Sequence, residues 1–412
     1  MGSGGREDAL AWRLRQSPSC GKLVAAPGNP GIARWAECMA LDPCDPSAVV
    51  ELARTEGIDL VVVGPEAPLV AGVADALREA GIAVFGPSAA AAQLEGSKGF
   101  TKDLCRANGI PTADYVRVER AEDARAALGR FGIPVVIKAD GLAAGKGVTV
   151  AMSVEEARQA IDEAGDGPLV IEEFLEGEEL SFLCLSDGKH VTPLVPAQDH
   201  KRIGEGDTGP NTGGMGVYST SQMLEPTMTD WILHHIAEPT VRGMAEENTP
   251  FTGVLYCGLM MTAKGPQVLE YNARFGDPET QAILVRLESD LVDALEAAID
   301  GRLSETALRW ASGASACVIA SSSGYPGSYK TGLPISGLGA AAQIPGVEVF
   351  HSGTAEDGGQ IVTNGGRVLG VTAAGDSLEQ ALGRAYDAIA QIKFDGIYYR
   401  RDIGHRALRK SH

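Results

Sequence analysis

Apolar positions along the first part of this chain alternate between two rhythms. Positions 58–63 form a short apolar run, and 67–80 then repeat Leu69, Val70, Val73, Ala74 and Leu77 at helical intervals. A second apolar run follows at 82–85, and Gly-Pro stands after each run. Strand, helix and strand punctuated this way predict an open parallel sheet whose ligand lies at the carboxyl ends of its strands. Residues 97–108 predict a helix that stops at Gly109-Ile110-Pro111. Strands are predicted at 135–139 and 148–151, and Ser153-Val154-Glu155-Glu156 is a capping box that starts a helix reaching Ala164. Runs at 180–185 and 190–195 flank Asp187-Gly188 as a hairpin. Two small α+β lobes clasping a nucleotide would read this way.

Residues 198–218 hold six glycines and no periodic apolar face, which predicts an irregular loop serving as a lid or binding loop. From about 314 to the end, short strands, turns and one amphipathic helix near 377–390 predict a small capping domain.

Composition narrows the class. At 412 residues with 44% apolar content, the chain exceeds one core and is expected to form two to four domains. Its 35 basic and 54 acidic residues give a net charge of −19, which argues against nucleic acid as a partner. Seven cysteines, at 20, 38, 44, 105, 184, 257 and 317, lack metal-type pairs and indicate neither a disulfide framework nor a zinc site. No run reaches the ~18 apolar residues of a membrane helix, and the start has no leader pattern, so a cytoplasmic location is expected.

Candidate chemistry is concentrated in three stretches. Val136-Ile137-Lys138-Ala139-Asp140-Gly141-Leu142-Ala143-Ala144-Gly145-Lys146-Gly147-Val148 joins a buried strand to glycines and lysines suited to polyphosphate; the same residues also suit a hairpin with solvated lysines. Pro168 to Leu175 is an apolar strand ending in Glu172 and Glu173, with Glu178 and Glu179 beyond, where carboxylates suit an adenine amino group and ribose hydroxyls. In Val268 to Thr280, strand periodicity sets Glu270 and Asn272 on one face and Tyr271 on the other, which makes half of a magnesium site.

With these residues in view the chain resembles the ATP-grasp ligases, and within them the glycinamide ribonucleotide synthetases. The resemblance covers nearly the whole length. It rests on Gly4-Gly5-Arg6-Glu7, Val63-Gly64-Pro65-Glu66-Ala67-Pro68-Leu69, Gln93-Leu94-Glu95-Gly96-Ser97-Lys98, Gln198-Asp199-His200-Lys201-Arg202, the Asp207 to Gly216 run and the Asn272 to Thr280 run. It implies an α/β and α+β multidomain chain with an ATP-grasp fold. Residues 1–95 would be an open parallel sheet domain for sugar phosphate, 96–313 the ATP-grasp domain with a nucleotide lobe at about 112–178, and 314–412 a small C-terminal cap. The implied reaction activates glycine with ATP to glycyl phosphate, which the amine of 5-phosphoribosylamine attacks. ATP and Mg2+ or Mn2+ are the implied cofactors, and a monomer is expected.

The resemblance also distributes roles. ATP falls to Lys102, Lys138, Gly141, Gly145, Lys146, Gly147, Glu172, Glu173, Phe174, Leu175 and Glu179, and the metal to Glu270 and Asn272. Arg274 would grip the glycine carboxylate in a bidentate pair. Asp199 and Asp207 either neutralise an amine or serve as turn residues. Gly213 and Gly214 would leave room for glycine alone, and Gly4, Gly5, Arg6, Gly64, Pro65 and Glu66 would meet the sugar phosphate. Three departures accompany the match. The apolar first strand is missing, so the chain is expected to start downstream of the family's usual beginning. Asp8 replaces a histidine, and the loop at 164–169 is short. Two other readings stand beside this one: a different ATP-grasp carboxylate–amine ligase, and a nucleotide-binding protein without catalysis.

Overall fold

A computed structural model describes residues 1–141 and 147–410. In the N-terminal part, parallel strands Val24–Ala25 and Glu37–Cys38 form one pair, and Leu60–Val62 and Ala83–Phe85 another. Between the pairs lie Met1 and Gly2. The amino terminus donates to Val62 O at 2.9 Å, Gly64 N donates to Met1 O, and Gly2 bridges Pro27 in parallel. These two residues thus join the two strand pairs. The helix expected at 67–80 is two helices, Glu66–Val70 and Val73–Glu79, because Gly72 takes a left-handed φ of 84°.

The middle of the chain builds two antiparallel sheets. The first runs Tyr115–Val118, Leu169–Glu173, Val135–Ala139, Val148–Ala151 and is covered by helices Ala121–Phe131 and Val154–Ala164. Ser153 caps the second helix as predicted, its hydroxyl accepting from Glu156 N. The second sheet runs Val191–Pro193, Glu178–Asp187, Thr252–Thr262, Gly265–Asn272. Strand alternation divides its side chains between two cores: Leu183, Leu185, Val254 and Tyr256 face one, Phe182, Cys184, Leu255 and Cys257 the other.

Residues 198–218 correct the expectation of an irregular loop. Gln198–Asp199 and Gly216–Thr220 are strands of a five-stranded sheet completed by Ala314–Ser321, Arg367–Gly375 and Val347–His351, and between them Arg202–Gly204 and Thr208–Asn211 form a hairpin. Helix Leu378–Ile389 covers this sheet. One central core gathers Leu10, Phe85, Leu183, Ile283, Leu295, Ile319 and Phe350, so all three parts of the chain share it. No described helix is long and apolar enough to cross a membrane.

His200 ties this sheet to the C-terminal segment. It is buried, its Nε2 accepts from Gly404 N at 3.1 Å, and its Nδ1 meets Gly216 O at 3.0 Å, which assigns the proton to Nδ1. Burial, reinforced by Arg400, lowers its pKa from 6.5 to about 4. The unfolded chain therefore binds a proton that the native one refuses as pH falls from 6.5 toward 4, and stability declines over that window. By linkage the contribution is at most about 3 kcal/mol. Unfolding of wild type and His200→Gln at pH 7 and 4.5 checks this: the difference between them should shrink at the lower pH, and a constant difference would refute it.

Candidate active site

The two middle sheets meet at a hinge, Phe174 to Gly177, whose first two residues are half-buried. Across this junction Lys138 reaches from the first sheet to donate to Leu269 O at 3.0 Å. It also pairs with Glu172, as does Lys102 Nζ at 2.5 Å, and Lys102 and Glu172 are each 2% exposed. Although burial opposes ionisation, the two lysines hold the Glu172 carboxyl below its usual range. The Glu172 oxygens thus face two buried ammonium groups. Lys102 is also held by Thr112 Oγ1 at 2.7 Å. Glu173 turns to the Asp114 backbone, with Asp114 N donating to its carboxylate at 3.3 Å.

Gly141 begins the glycine-rich stretch. Its carbonyl accepts from Lys98 Nζ at 2.8 Å, and Asp140 beside it takes Lys98 N and the Ser97 hydroxyl, pinning the stretch to the start of helix Lys98–Ala107. Gly147 O accepts from Ala139 N at 2.8 Å. Gly145 and Lys146 lie outside the described residues.

On the second sheet, Glu270 and Asn272 share the half-buried face while Tyr271 is buried on the other, as strand periodicity required. Lys201 Nζ stands 3.5 Å from Glu270 and 3.1 Å from Glu179. Lys201 lowers the Glu270 pKa, and Glu179 raises that of Lys201. Glu179 and Glu270 are thus brought together around a lysine that was read only as part of a motif.

The Arg274 guanidinium holds Glu66 at 3.2 Å and Glu95 at 3.1 Å. Asp199 lies just before the hairpin, at the end of strand Gln198–Asp199. Burial first, then nearby Glu279, raises its pKa well above the usual carboxylate range. Gly213 and Gly214 pass beside it, and Arg367 Nη1 holds Gly213 O at 2.6 Å and Asp277 O at 2.7 Å. Asp207 pairs with Arg400 at 3.0 Å and Arg406 at 2.5 Å on the C-terminal segment, the setting of a turn residue.

At the N-terminal helix, Glu7 Oε2 accepts from Gly4 N at 2.6 Å, and Gly5 packs beside Ser352 and Gln281. Arg6 is buried, bonded to Glu7 at 2.6 Å and Phe275 O at 3.0 Å. Gly64 packs against Glu7, and Pro65 caps the helix that carries Glu66. Asp8 points inward to Arg34, Trp35 and His351 N. Sequence reasoning missed Lys98, Glu95 and Lys201 as site residues although its motifs contained them. Arg367 and Tyr325, whose hydroxyl accepts from Gly213 N, carried no local signal.

Comparison with known proteins identifies the family. The phosphoribosylglycinamide synthetase family matches through its N domain at residues 1–95, its ATP-grasp (A) domain at 96–280 and its C domain at 315–406. The phosphoribosylamine–glycine ligase of Rhizobium meliloti is 55% identical over 99% of this chain and 98% of its own length. A crystal structure of the Thermotoga maritima phosphoribosylamine–glycine ligase superposes with a TM-score of 0.84 at 32% identity, covering 98% of each chain. The biotin carboxylase domain of Hydrogenobacter thermophilus 2-oxoglutarate carboxylase shares the fold, with a TM-score of 0.71 at 18% identity over 97% of this chain and 90% of that one. The chain belongs to the phosphoribosylglycinamide synthetase family.

Proposed function

We infer that the cleft between the two middle sheets is where this chain, an ATP-dependent ligase of purine biosynthesis, joins glycine to 5-phosphoribosylamine. The products are glycinamide ribonucleotide, ADP and phosphate, by way of glycyl phosphate. The observation that carries the residue roles is Lys201 standing between Glu179 and Glu270 beside Asp199, a charge arrangement suited to phosphoryl transfer, which needs positioning and neutralisation more than a covalent nucleophile.

In this reading residues 1–95 take the sugar phosphate, 96–313 carry out the chemistry and 314–412 cap the site. Lys102 and Lys138 serve the ATP phosphates, and Glu172 with the hinge at Glu173, Phe174 and Leu175 borders the adenine. Glu179 lies on the ribose side. Glu270 and Asn272 would hold the divalent cation, magnesium or manganese: two oxygen donors on one cleft-facing surface fit a hard ion. When bound, such an ion neutralises charge on the transferring phosphoryl group. Asp199, in its ionised form, takes up the proton released as the amine attacks, and its raised pKa makes that carboxylate a stronger base. A monomer and a cytoplasmic location are part of the same proposal, on the resemblance and the nature of the substrates.

ADP release with ATP and a divalent cation tests the reaction, with glycine and freshly generated phosphoribosylamine each supplied or omitted. Turnover must require both, and turnover with another amine or carboxylate in their place would overturn the substrate assignment. Glu270→Gln is expected to lower kcat about a hundredfold, the scale of losing one preorganised charge-stabilising group, and to raise the cation concentration needed for half-maximal rate. An unchanged cation requirement would remove Glu270 from the metal site.

A further inference from the structure

The hairpin formed by Arg202–Gly204 and Thr208–Asn211 leaves Lys201 at one root and Thr212, Gly213 and Gly214 at the other. Its own pairing is slight: Arg202 opposite Asn211 and Gly204 opposite Thr208, with the strand Thr208–Asn211 exposed throughout. An isolated two-stranded hairpin of this size is marginal in water. At its tip, Asp207 adopts a φ of 58°, a left-handed conformation that costs a residue with a side chain free energy. The hairpin therefore draws its order from elsewhere.

That support is the segment 398–406. Arg400 is fully buried and divides its guanidinium. Nη1 donates to Arg202 O and Asp207 Oδ1, each at 3.0 Å, while Nε and Nη2 hold Asp402 at 2.8 Å. Asp402 in turn accepts from Gly206 N at 2.8 Å, Tyr398 donates to Ile203 O at 2.9 Å, and Arg401 N reaches Glu205 at 3.2 Å. Nearly every residue from 202 to 207 is gripped by the C-terminal segment, whereas the two roots of the hairpin face the cleft.

We propose that Arg400 is a positioning residue for the ligase reaction: by clamping the hairpin tip it holds Lys201 between Glu179 and Glu270 and sets the Gly213–Gly214 turn beside Asp199. The clamp rests on the residue roles proposed above for that cleft. It assigns part of active-site construction to residues whose side chains never meet a substrate. A planar guanidinium suits this work, since one rigid group satisfies a carbonyl and two carboxylates at fixed angles, which an ammonium does not reproduce.

The test uses the full chain with Arg400→Lys, Arg400→Gln and Tyr398→Phe. Tyr398 is partly exposed, so losing its hydroxyl does not threaten folding and keeps the proposal testable if the Arg400 variants fail to fold. Expected are a kcat lowered about tenfold in Arg400→Gln with a raised KM for glycine, partial recovery in Arg400→Lys, and a smaller change of the same kind in Tyr398→Phe. KM for phosphoribosylamine should stay within about twofold, because the residues assigned to it do not touch the hairpin. Trypsin cleavage after Lys201 and Arg202 should quicken in the same order, a readout independent of turnover. Folded variants with unchanged kcat and glycine KM would overturn the proposal. So would an equal rise in all three substrate KM values, which would signify general loosening. If the wild-type chain does not turn over with glycine and phosphoribosylamine, the functional reading fails; accelerated cleavage would still establish the clamp as architecture alone, and the positioning role would fall with the reading.

Discussion

Glu172→Ala is expected to lower stability by about 3–5 kcal/mol, the cost of leaving buried charge without its partner. Lys102 and Lys138 converge on this one carboxylate from helix Lys98–Ala107 and strand Val135–Ala139, and all three groups are buried. With the carboxylate gone, Lys102 keeps Thr112 Oγ1 and Lys138 keeps Leu269 O, but neutral oxygens do not offset two ammonium charges held out of water. The lysines must then shed protons or draw water into the core, and each route destabilises the chain. Urea unfolding at pH 7 measures the change, and a loss below about 1 kcal/mol would mean that the site is wetter than its packing indicates. Activity should fall with it, because Lys138 links the two sheets that border the cleft.

The second large effect is expected from Gly214→Ala: about a hundredfold lower kcat/KM for glycine, the scale on which a misplacement near 1 Å acts. Gly214 has a φ of 113°, and a β-carbon there would stand 2.6 Å from both Asp199 Oδ1 and Pro278 Cδ. Asp199 can rotate aside, which moves the very carboxyl proposed to take the proton. The Pro278 ring cannot, so the turn itself must shift away from Arg367 and its bond to Gly213 O. Backbone strain adds a stability cost of about 1–3 kcal/mol. Steady-state ADP release with glycine varied decides the matter; a variant within threefold of wild type would show that this turn does not shape the glycine pocket.

Local rules made much of the scaffold legible. The Ser153 cap, the hairpin around Asp187 and Gly188, and the shared face of Glu270 and Asn272 all follow from signals within a few residues. What escaped notice depends on distant partners. Gly216–Thr220 shows little apolar periodicity because its neighbour is Ala314–Ser321, which supplies the buried face from far along the chain. The arginines that hold Asp207 lie 193 and 199 positions away. Arg274 pairs in the same way with Glu66, which precedes it by 208 positions. Charge pairing between remote segments leaves no local pattern to read.

The shared sheet has a consequence during synthesis. A ribosome adding ~5–20 residues per second needs roughly 10–40 s to move from Asp207 to the arginines that hold it. During the first half of that interval Gly216–Thr220 has been made while its neighbour Ala314–Ser321 has not, leaving an open strand edge on a nascent chain. Early strands and late strands must therefore find each other after a long wait, a non-local topology that slows folding and makes this stretch the point most dependent on protection from aggregation.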